Sequence, residues 1–166
     1  MELKKLTRNA LLTAIALTIF MVEAQIPPLV PIPGVKLGLA NIVTVFALFA
    51  YKKQDALMIL LVRVFLGSVF SGQMMTLLYS LAGGLLCFGV TIFMEKILTE
   101  KQIWVASVVG AVFHNIGQLL VAIVITSTPS IAVYLPVLLV SGILAGLFTG
   151  LCAQFLYGKL KHFGRF

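Results

Sequence analysis

Six long hydrophobic runs, separated by short connections, dominate the pattern of apolar and polar positions in this chain. The runs cover residues 8–25, 35–51, 55–72, 75–94, 104–126 and 133–157. Most of them approach the roughly 20 residues that an α-helix needs to cross a hydrocarbon core of about 30 Å. The connections are too short to hold another folded unit. The pattern therefore predicts an all-α polytopic membrane protein, in which residues 1–166 form a single domain of six transmembrane helices.

The positively charged residues follow the alternation of the connections. Ten of the 12 Lys and Arg residues lie in the terminal segments or in alternate connections: Lys4, Lys5, Arg8, Lys52, Lys53, Lys96, Lys101, Lys159, Lys161 and Arg165. The opposite connections carry only Lys36, and Arg63 lies inside a hydrophobic run. Because short connections rich in Lys and Arg stay in the cytoplasm, we expect both termini to be cytoplasmic.

The composition supports a membrane protein over a nucleic-acid-binding protein. The chain is 61% hydrophobic and 10% charged, whereas a soluble domain has about 25% charged residues. The net charge of +7 is spread over several loop ends. We therefore interpret this charge as a determinant of topology and of contact with the headgroups of the lipid bilayer, with no nucleic acid as partner.

The first outer connection, residues 25–34, is both apolar and rich in proline. Its four prolines fix φ and remove backbone donors, so the segment cannot be helical. Apolar irregular backbone near a membrane is tolerated where it packs on protein or lines a cavity. Two interpretations stay open: a stiff lid over an outward-facing pocket, or a short turn that rests on the helix ends.

Arg63 lies near the middle of the third run, and that run contains no acid at its depth. An arginine at the centre of a membrane helix costs roughly 2.5–3.5 kcal/mol on insertion scales. Such a residue either faces the interior, where it binds an anion or acts in gating, or it snorkels to an interface. Both interpretations stay open at this point.

The fifth run contains a second polar group. His114 and Gln118 are four residues apart and share a helix face, and Asn115 lies beside them. The group either contacts a ligand or joins helices by hydrogen bonds, which contribute only about 0.6 kcal/mol each on average. One histidine without a second ligand at suitable spacing is a poor metal site.

Three further polar residues are expected in the outer half of the protein: Asn41, Glu23 and Lys36. Glu23 ends the first run just before the proline-rich connection, and Lys36 follows that connection. Together with Arg63 and the fifth run, they predict a solute pocket that opens to the outside. A simple pair between Glu23 and Lys36 is the alternative.

Small residues at four-residue spacing indicate close helix contacts. The sixth run contains Gly142, Gly146 and Gly150, which face either another helix of this chain or another subunit. The first run carries Ala10 and Ala14 near its cytoplasmic end.

The sequence offers little that could support catalysis. It has no G-x-x-x-x-G-K-[ST] loop to bind a nucleotide. Asp55 is its only aspartate, so there is no aspartate pair to hold magnesium on a diphosphate. We therefore expect a protein that is not an enzyme and that uses no cofactor or metal.

Three segments resemble the Gx transporter family, which is also labelled heptaprenyl diphosphate synthase component I. They are PIPGVKLGLAN at 31–41, YSLAGG at 79–84 and GAVFHNIGQ at 110–118. That family is similar to the substrate-binding S components of energy-coupling factor (ECF) transporters of the bacterial cell membrane. The resemblance implies a six-helix protein that docks through an Ala-xxx-Ala motif, here Ala10 and Ala14, onto a transmembrane coupling subunit driven by two ATPases. It transfers no substrate-binding residue to this sequence.

Two functions from different classes follow. The first is the substrate-binding subunit of an uptake transporter for a small anionic or amphipathic solute, with Arg63, His114, Asn115, Gln118, Asn41, Lys36 and Glu23 as candidate binding residues. The second is an accessory membrane subunit of a heptaprenyl diphosphate synthase, as the family label implies.

Overall fold

A computed structural model describes residues 3–27 and 36–162 of the protein. Within these ranges the chain forms α-helices and no β-strand, which confirms the all-α prediction. The helices are α1 (Leu3–Glu23), α2 (Asn41–Ala50), α3 (Lys53–Ser71), α4 (Met74–Glu95), α5 (Ile103–Thr126) and α6 (Leu135–His162). Two short 3-10 segments, Glu100–Gln102 and Pro129–Tyr134, lead into α5 and α6.

Helix α2 is much shorter than its hydrophobic run. Among the described residues, five helices are long and apolar enough to cross a membrane, and α2 is an apolar helix of 10 residues. The predicted second span over 35–51 was therefore too long. The reason lies at Gly38, whose φ of 81° is left-handed, and whose carbonyl accepts the N–H of Asn41 in a turn that precedes the helix. At about 1.5 Å per residue, α2 extends roughly 15 Å, half of the hydrocarbon core.

The short helix α2 lies inside the bundle. It contacts all five other helices, and seven of its 10 residues are buried. Around it, the neighbours α1, α3, α4, α5 and α6 pack on one another in that order. Non-helical backbone at membrane depth is tolerated only where protein surrounds it or where it lines a cavity. Because α2 is surrounded by the other helices, it can extend across only half of the hydrocarbon core.

The glycines of α6 form an interface within this chain. A Cβ atom added to Gly146 would lie 2.7 Å from Cα of Val108, and one added to Gly150 would lie 2.6 Å from Cα of Trp104. Real Cβ atoms do not approach a backbone so closely, so α5 and α6 can touch only because glycine lacks the side chain. The four-residue spacing therefore serves the contact with α5.

One cation–aromatic contact and two ion pairs link neighbouring elements at one end of the bundle. Arg8 lies 3.8 Å from the ring centroid of Tyr51, Lys53 pairs with Glu95 at 2.8 Å, and Lys161 pairs with Glu100. The first contact links the start of α1 with the end of α2, the second links the start of α3 with the end of α4, and the third links the segment before α5 with the end of α6. We call this end of the bundle the basic end. The alternation of charge along the sequence thus becomes a separation between the two ends of the bundle.

Candidate functional site

Four buried polar side chains form a continuous hydrogen-bonded set, which we call the inner polar cluster: Arg63, Asn41, His114 and Gln118. Nη2 of Arg63 donates to Oδ1 of Asn41 at 3.0 Å. Nδ2 of Asn41 lies 3.2 Å from Nδ1 of His114, and Nε2 of Gln118 lies 3.0 Å from Nε2 of the same ring. The cluster joins α3, α2 and α5. Arg63 is only 2% exposed, so the interpretation that it snorkels to an interface is wrong.

The inner polar cluster lies near the middle of the bundle. Arg63 follows Lys53, the first residue of α3, by ten positions, and His114 follows Ile103, the first residue of α5, by eleven. At 1.5 Å per residue, both lie about 15 Å from the basic end. That distance is half of a hydrocarbon core of about 30 Å.

N–H donors outnumber acceptors within the cluster. Both ring nitrogens of His114 face a side-chain amide nitrogen, although a neutral imidazole accepts at only one of them. Exchanging the amide oxygen and nitrogen of Gln118 would not reduce the excess of donors. Its Oε1 already accepts the backbone N–H of Lys36 at 3.2 Å, and the exchange would set an NH2 group against that N–H. The backbone of Gly83 forms one further hydrogen bond with the His114 ring. The donors that remain, among them Nε of Arg63, favour an acceptor, and above all an anion, at this place.

The connection before α2 is tied to the same site. The backbone N–H of Lys36 bonds Gln118, as above, and the backbone N–H of Gly38 donates to Oε1 of Glu23. A Cβ atom added to Gly38 would lie 2.9 Å from Nδ2 of Asn41 and from the ring of His114. Glycine is needed there for space and for its left-handed φ. Sequence reasoning missed Gly38, although a glycine shortly after a proline-rich segment was a usable signal.

Gly83 of α4 is a second residue that sequence reasoning missed. A Cβ atom there would lie 2.8 Å from the carbonyl oxygen of His114 and 2.9 Å from its Nδ1. The missing side chain lets α4 approach α5 closely enough to close one side of the cluster.

Glu23 of α1 supplies an acid near Arg63, whereas the only acid of α3, Asp55, lies in the first turn of that helix, at the basic end. It is 4% exposed, and electrostatic attraction links it to Arg63 and to Lys36. Within the described residues, Glu23 forms no ion pair with either cation, so the alternative of a simple pair with Lys36 is wrong.

Lys36 makes a different contact. Its Nζ lies 3.9 Å from the ring centroid of Phe20 on α1. Partial burial lowers the pKa of the Lys36 ammonium group, and the nearby carboxylate of Glu23 opposes that change.

Two charged groups at the site have polar atoms without partners. In the part of the chain that the structure describes, Oε2 of Glu23 and Nε of Arg63 are buried and form no hydrogen bond. Leaving a buried charged group unsatisfied costs more than a kcal/mol or so. Such orphaned atoms in a native structure therefore indicate a missing partner.

Two predicted features do not join the cluster. Asn115 is buried, but its Nδ2 donates to the carbonyl of Leu138 on α6, so this residue connects helices and does not face Arg63. The predicted lid, residues 25–34, lies mostly outside the described residues, since only Gln25, Ile26 and Pro27 fall within them, and its role stays a prediction.

Ala10 and Ala14 lie on the outer face of α1. Both are exposed, whereas Asn9, Ala16 and Phe20 are buried on the face toward α2 and α3.

Within residues 3–27 and 36–162, no three His, Cys, Asp or Glu side chains cluster to form a metal site.

Comparison with known proteins identifies the family of the chain. Searches of curated proteins and of solved structures each found no match. The family model described as heptaprenyl diphosphate synthase component I matches residues 12–156, and all members of the inner polar cluster fall within the matched range. Because the match covers most of the chain, this protein belongs to the heptaprenyl diphosphate synthase component I family.

Proposed function

We propose that this protein is the substrate-binding membrane subunit of an uptake transporter for a small anionic or amphipathic solute. The observation that carries the proposal is the surplus of buried N–H donors around Arg63, Asn41, His114 and Gln118. An anion would complete the hydrogen bonds of these groups. A vitamin, a quinone precursor and an isoprenoid phosphate are solutes of suitable chemistry.

The charge at the site supports an anionic ligand. Among the described residues, two cations, Arg63 and Lys36, stand against the single carboxyl group of Glu23, and Nε of Arg63 has no hydrogen-bond partner. A buried arginine is costly in a membrane, so its presence points to a partner of opposite charge. The solute would be the second anion.

The backbone also supports a binding site at this depth. Helix α2 begins at Asn41, beside the guanidinium group of Arg63, so its positive dipole end lies in the cluster. Membrane transporters often bind solutes near the midplane, where discontinuous helices direct their N-termini at anionic groups. The half-length α2 has this form.

The experiment uses native mass spectrometry of the purified protein. We expect wild type to carry a small molecule, and Arg63→Ala to lose it. Removing one partner of a buried charged hydrogen bond costs about 2–5 kcal/mol. That corresponds to a loss of affinity of roughly 30-fold or more.

Lys53→Ala, at the start of the same helix but outside the cluster, is the matched control and should retain the bound molecule. Gel filtration of both variants checks that they fold. Equal occupancy in wild type and Arg63→Ala would contradict the proposal, and so would an empty wild-type protein isolated directly from its native membrane.

The orientation in the proposal follows from the charge of the basic end. Short basic connections stay in the cytoplasm. Both termini would therefore lie on the cytoplasmic side of the bacterial cell membrane, and the proline-rich segment would lie on the outer side. A cysteine introduced at Lys53 should resist a membrane-impermeant reagent in intact cells. Labelling of this cysteine from outside would contradict the proposed orientation.

Energy for uptake would come from other subunits. We infer that Ala10 and Ala14 dock an ECF transmembrane coupling subunit with its two ATPases, because their exposed small side chains allow close helix contact. Ala14→Trp should abolish co-purification with such a module, whereas Ile15→Trp, one position further along the helix and already large, should reduce it less. Wild-type yield from Ala14→Trp would refute this docking site.

An accessory role in heptaprenyl diphosphate synthesis is the second candidate, and the family description favours it. In that role the chain would anchor or activate a soluble catalytic subunit and perform no catalysis itself. Adding this protein to such a subunit should raise its synthase activity, and Arg63→Ala should leave that stimulation intact. Stimulation without any bound solute would favour this candidate over uptake.

A further inference from the structure

A basic groove opens on the surface of the bundle at the basic end, away from the inner polar cluster. Its volume is about 580 Å³, and it runs between the final turns of α6 and the segment before α5. Lys101, Lys159 and Lys161 contribute ammonium groups to its lining, while Leu151 and Phe155 contribute apolar side chains. Cationic and apolar groups therefore share one groove.

The length of α6 indicates that the groove lies at the boundary between the hydrocarbon core and the lipid headgroups. Its 28 residues extend about 42 Å, which exceeds a hydrocarbon core of about 30 Å by roughly two turns. Residues 135–156 of α6 carry no charged side chain, and Lys159 and Lys161 follow them, so the surplus lies at the basic end. Phe155 is 68% exposed and Leu151 is 49% exposed, as expected for side chains that meet acyl chains.

Two of the three lysines are available to a ligand. Lys161 pairs with Glu100, a carboxylate that also lines the groove and accepts a hydrogen bond from the hydroxyl of Tyr157. Within the described residues, Lys101 and Lys159 form no ion pair with an acid of the chain. Lys159 instead lies 5.5 Å from the ring centroid of Phe155, at the border between the polar and the apolar parts of the groove.

We propose that this groove binds an anionic phospholipid of the surrounding membrane, with its phosphate between Lys101 and Lys159 and its acyl chain along Phe155 and Leu151. Charge complementarity identifies the headgroup, and the apolar lining continuous with the hydrocarbon identifies the tail. Basic pockets between membrane helices are known to hold anionic headgroups in this way. The proposal is independent of the proposed solute site.

The chain contains a built-in reporter for this groove. Trp104 is its only tryptophan, and the backbone N–H of Trp104 lies 3.4 Å from Oε1 of Gln154, a residue that lines the groove. The protein is reconstituted into phosphatidylcholine vesicles that contain the same small fraction of either brominated phosphatidylglycerol or brominated phosphatidylcholine. Bromine quenches tryptophan fluorescence on contact, so the ratio of quenching measures the preference for the anionic lipid.

We expect wild type to prefer phosphatidylglycerol by at least about fivefold, since one lysine near a membrane surface contributes about that factor. The double variant Lys101→Gln with Lys159→Gln should reduce the preference to nearly none. The control Lys52→Gln with Lys96→Gln removes the same charge at the same end, outside the groove, and should keep the preference. Arg63→Ala should keep it too.

Several results would overturn the proposal. Equal quenching by the two brominated lipids in wild type would do so, and so would an equal loss of preference in the two double variants, which would indicate diffuse surface charge. Loss of the preference on adding inorganic phosphate, but not sodium chloride of matched ionic strength, would assign the groove to a soluble phosphate. Displacement by farnesyl diphosphate at low concentration would assign it to an isoprenoid diphosphate.

Discussion

Two buried charged residues of α3, Asp55 and Arg63, differ in how completely the protein surrounds them with partners. Oδ1 of Asp55 lies 2.8 Å from Nζ of Lys5 and 3.1 Å from Nδ2 of Asn9, and Oδ2 lies 3.1 Å from Nη2 of Arg8. We call these four residues the Asp55 cluster. Arg63, by contrast, forms one side-chain hydrogen bond, to Asn41, and its Nε has no partner among the described residues.

The difference separates a structural charge from one that is available for binding. The Asp55 cluster satisfies itself, and it fastens the start of α1 to the start of α3 at the basic end. The inner polar cluster keeps donors in excess and its nearest acid out of ion-pair distance. A buried charge that the fold leaves incomplete is the better candidate for contact with a ligand.

The largest expected effect tests the structural side of this comparison. Asp55→Ala should lower the free energy of unfolding by about 3 kcal/mol, the low end for a broken buried pair. Lys5 and Arg8 are 31% and 33% exposed, so they can turn toward water, which limits the loss. Unfolding in mixed micelles with increasing SDS measures it. Gln54→Ala, an exposed neighbour, should change stability by less than 0.5 kcal/mol or so.

A second substitution tests whether the inner polar cluster tolerates an added methyl group. Gly38→Ala should lower the free energy of unfolding by roughly 2 kcal/mol, because the added Cβ strains a left-handed backbone and crowds Asn41 and His114. Gly72→Ala has a similar φ of 66° but no atom within 4 Å of the new Cβ, so it isolates the backbone cost. Equal losses in both variants would show that crowding at the cluster is unimportant.

Arg63→Met should have a smaller effect on stability than either change. It breaks the bond to Asn41 but removes an incompletely paired buried charge, and these consequences oppose each other, leaving about 1 kcal/mol or less. The same unfolding assay on protein stripped of solute measures it. If Arg63→Met lowered the free energy of unfolding as much as Asp55→Ala, Arg63 would be a structural residue, and the contrast between the two sites would be wrong.

The smallest effect is expected at the exposed pair of Lys53 and Glu95, whose side chains are 43% and 30% exposed. Glu95→Gln should change the free energy of unfolding by less than about 1 kcal/mol, and added salt should reduce even that. A larger loss would mean that ion pairs at the basic end are strong regardless of burial, contrary to the reasoning for the Asp55 cluster.

The sequence by itself determined the helical membrane fold, the end of the bundle that carries the positive charge, and the four candidate residues that form the inner polar cluster. It could do so because a bilayer demands long apolar helices and makes every polar residue within them conspicuous. Arg63, His114 and Gln118 stand out against apolar neighbours, so hydropathy alone selects them.

Only the tertiary structure decided which of these polar residues meet. It shortened α2 at Gly38, set Glu23 within electrostatic reach of Arg63, and turned Asn115 toward α6. Each outcome depends on where a side chain points from its helix and on a turn between helices, and hydropathy carries neither kind of information. The direction of a side chain is set by packing against residues far away in the sequence, which exists only once the bundle has assembled.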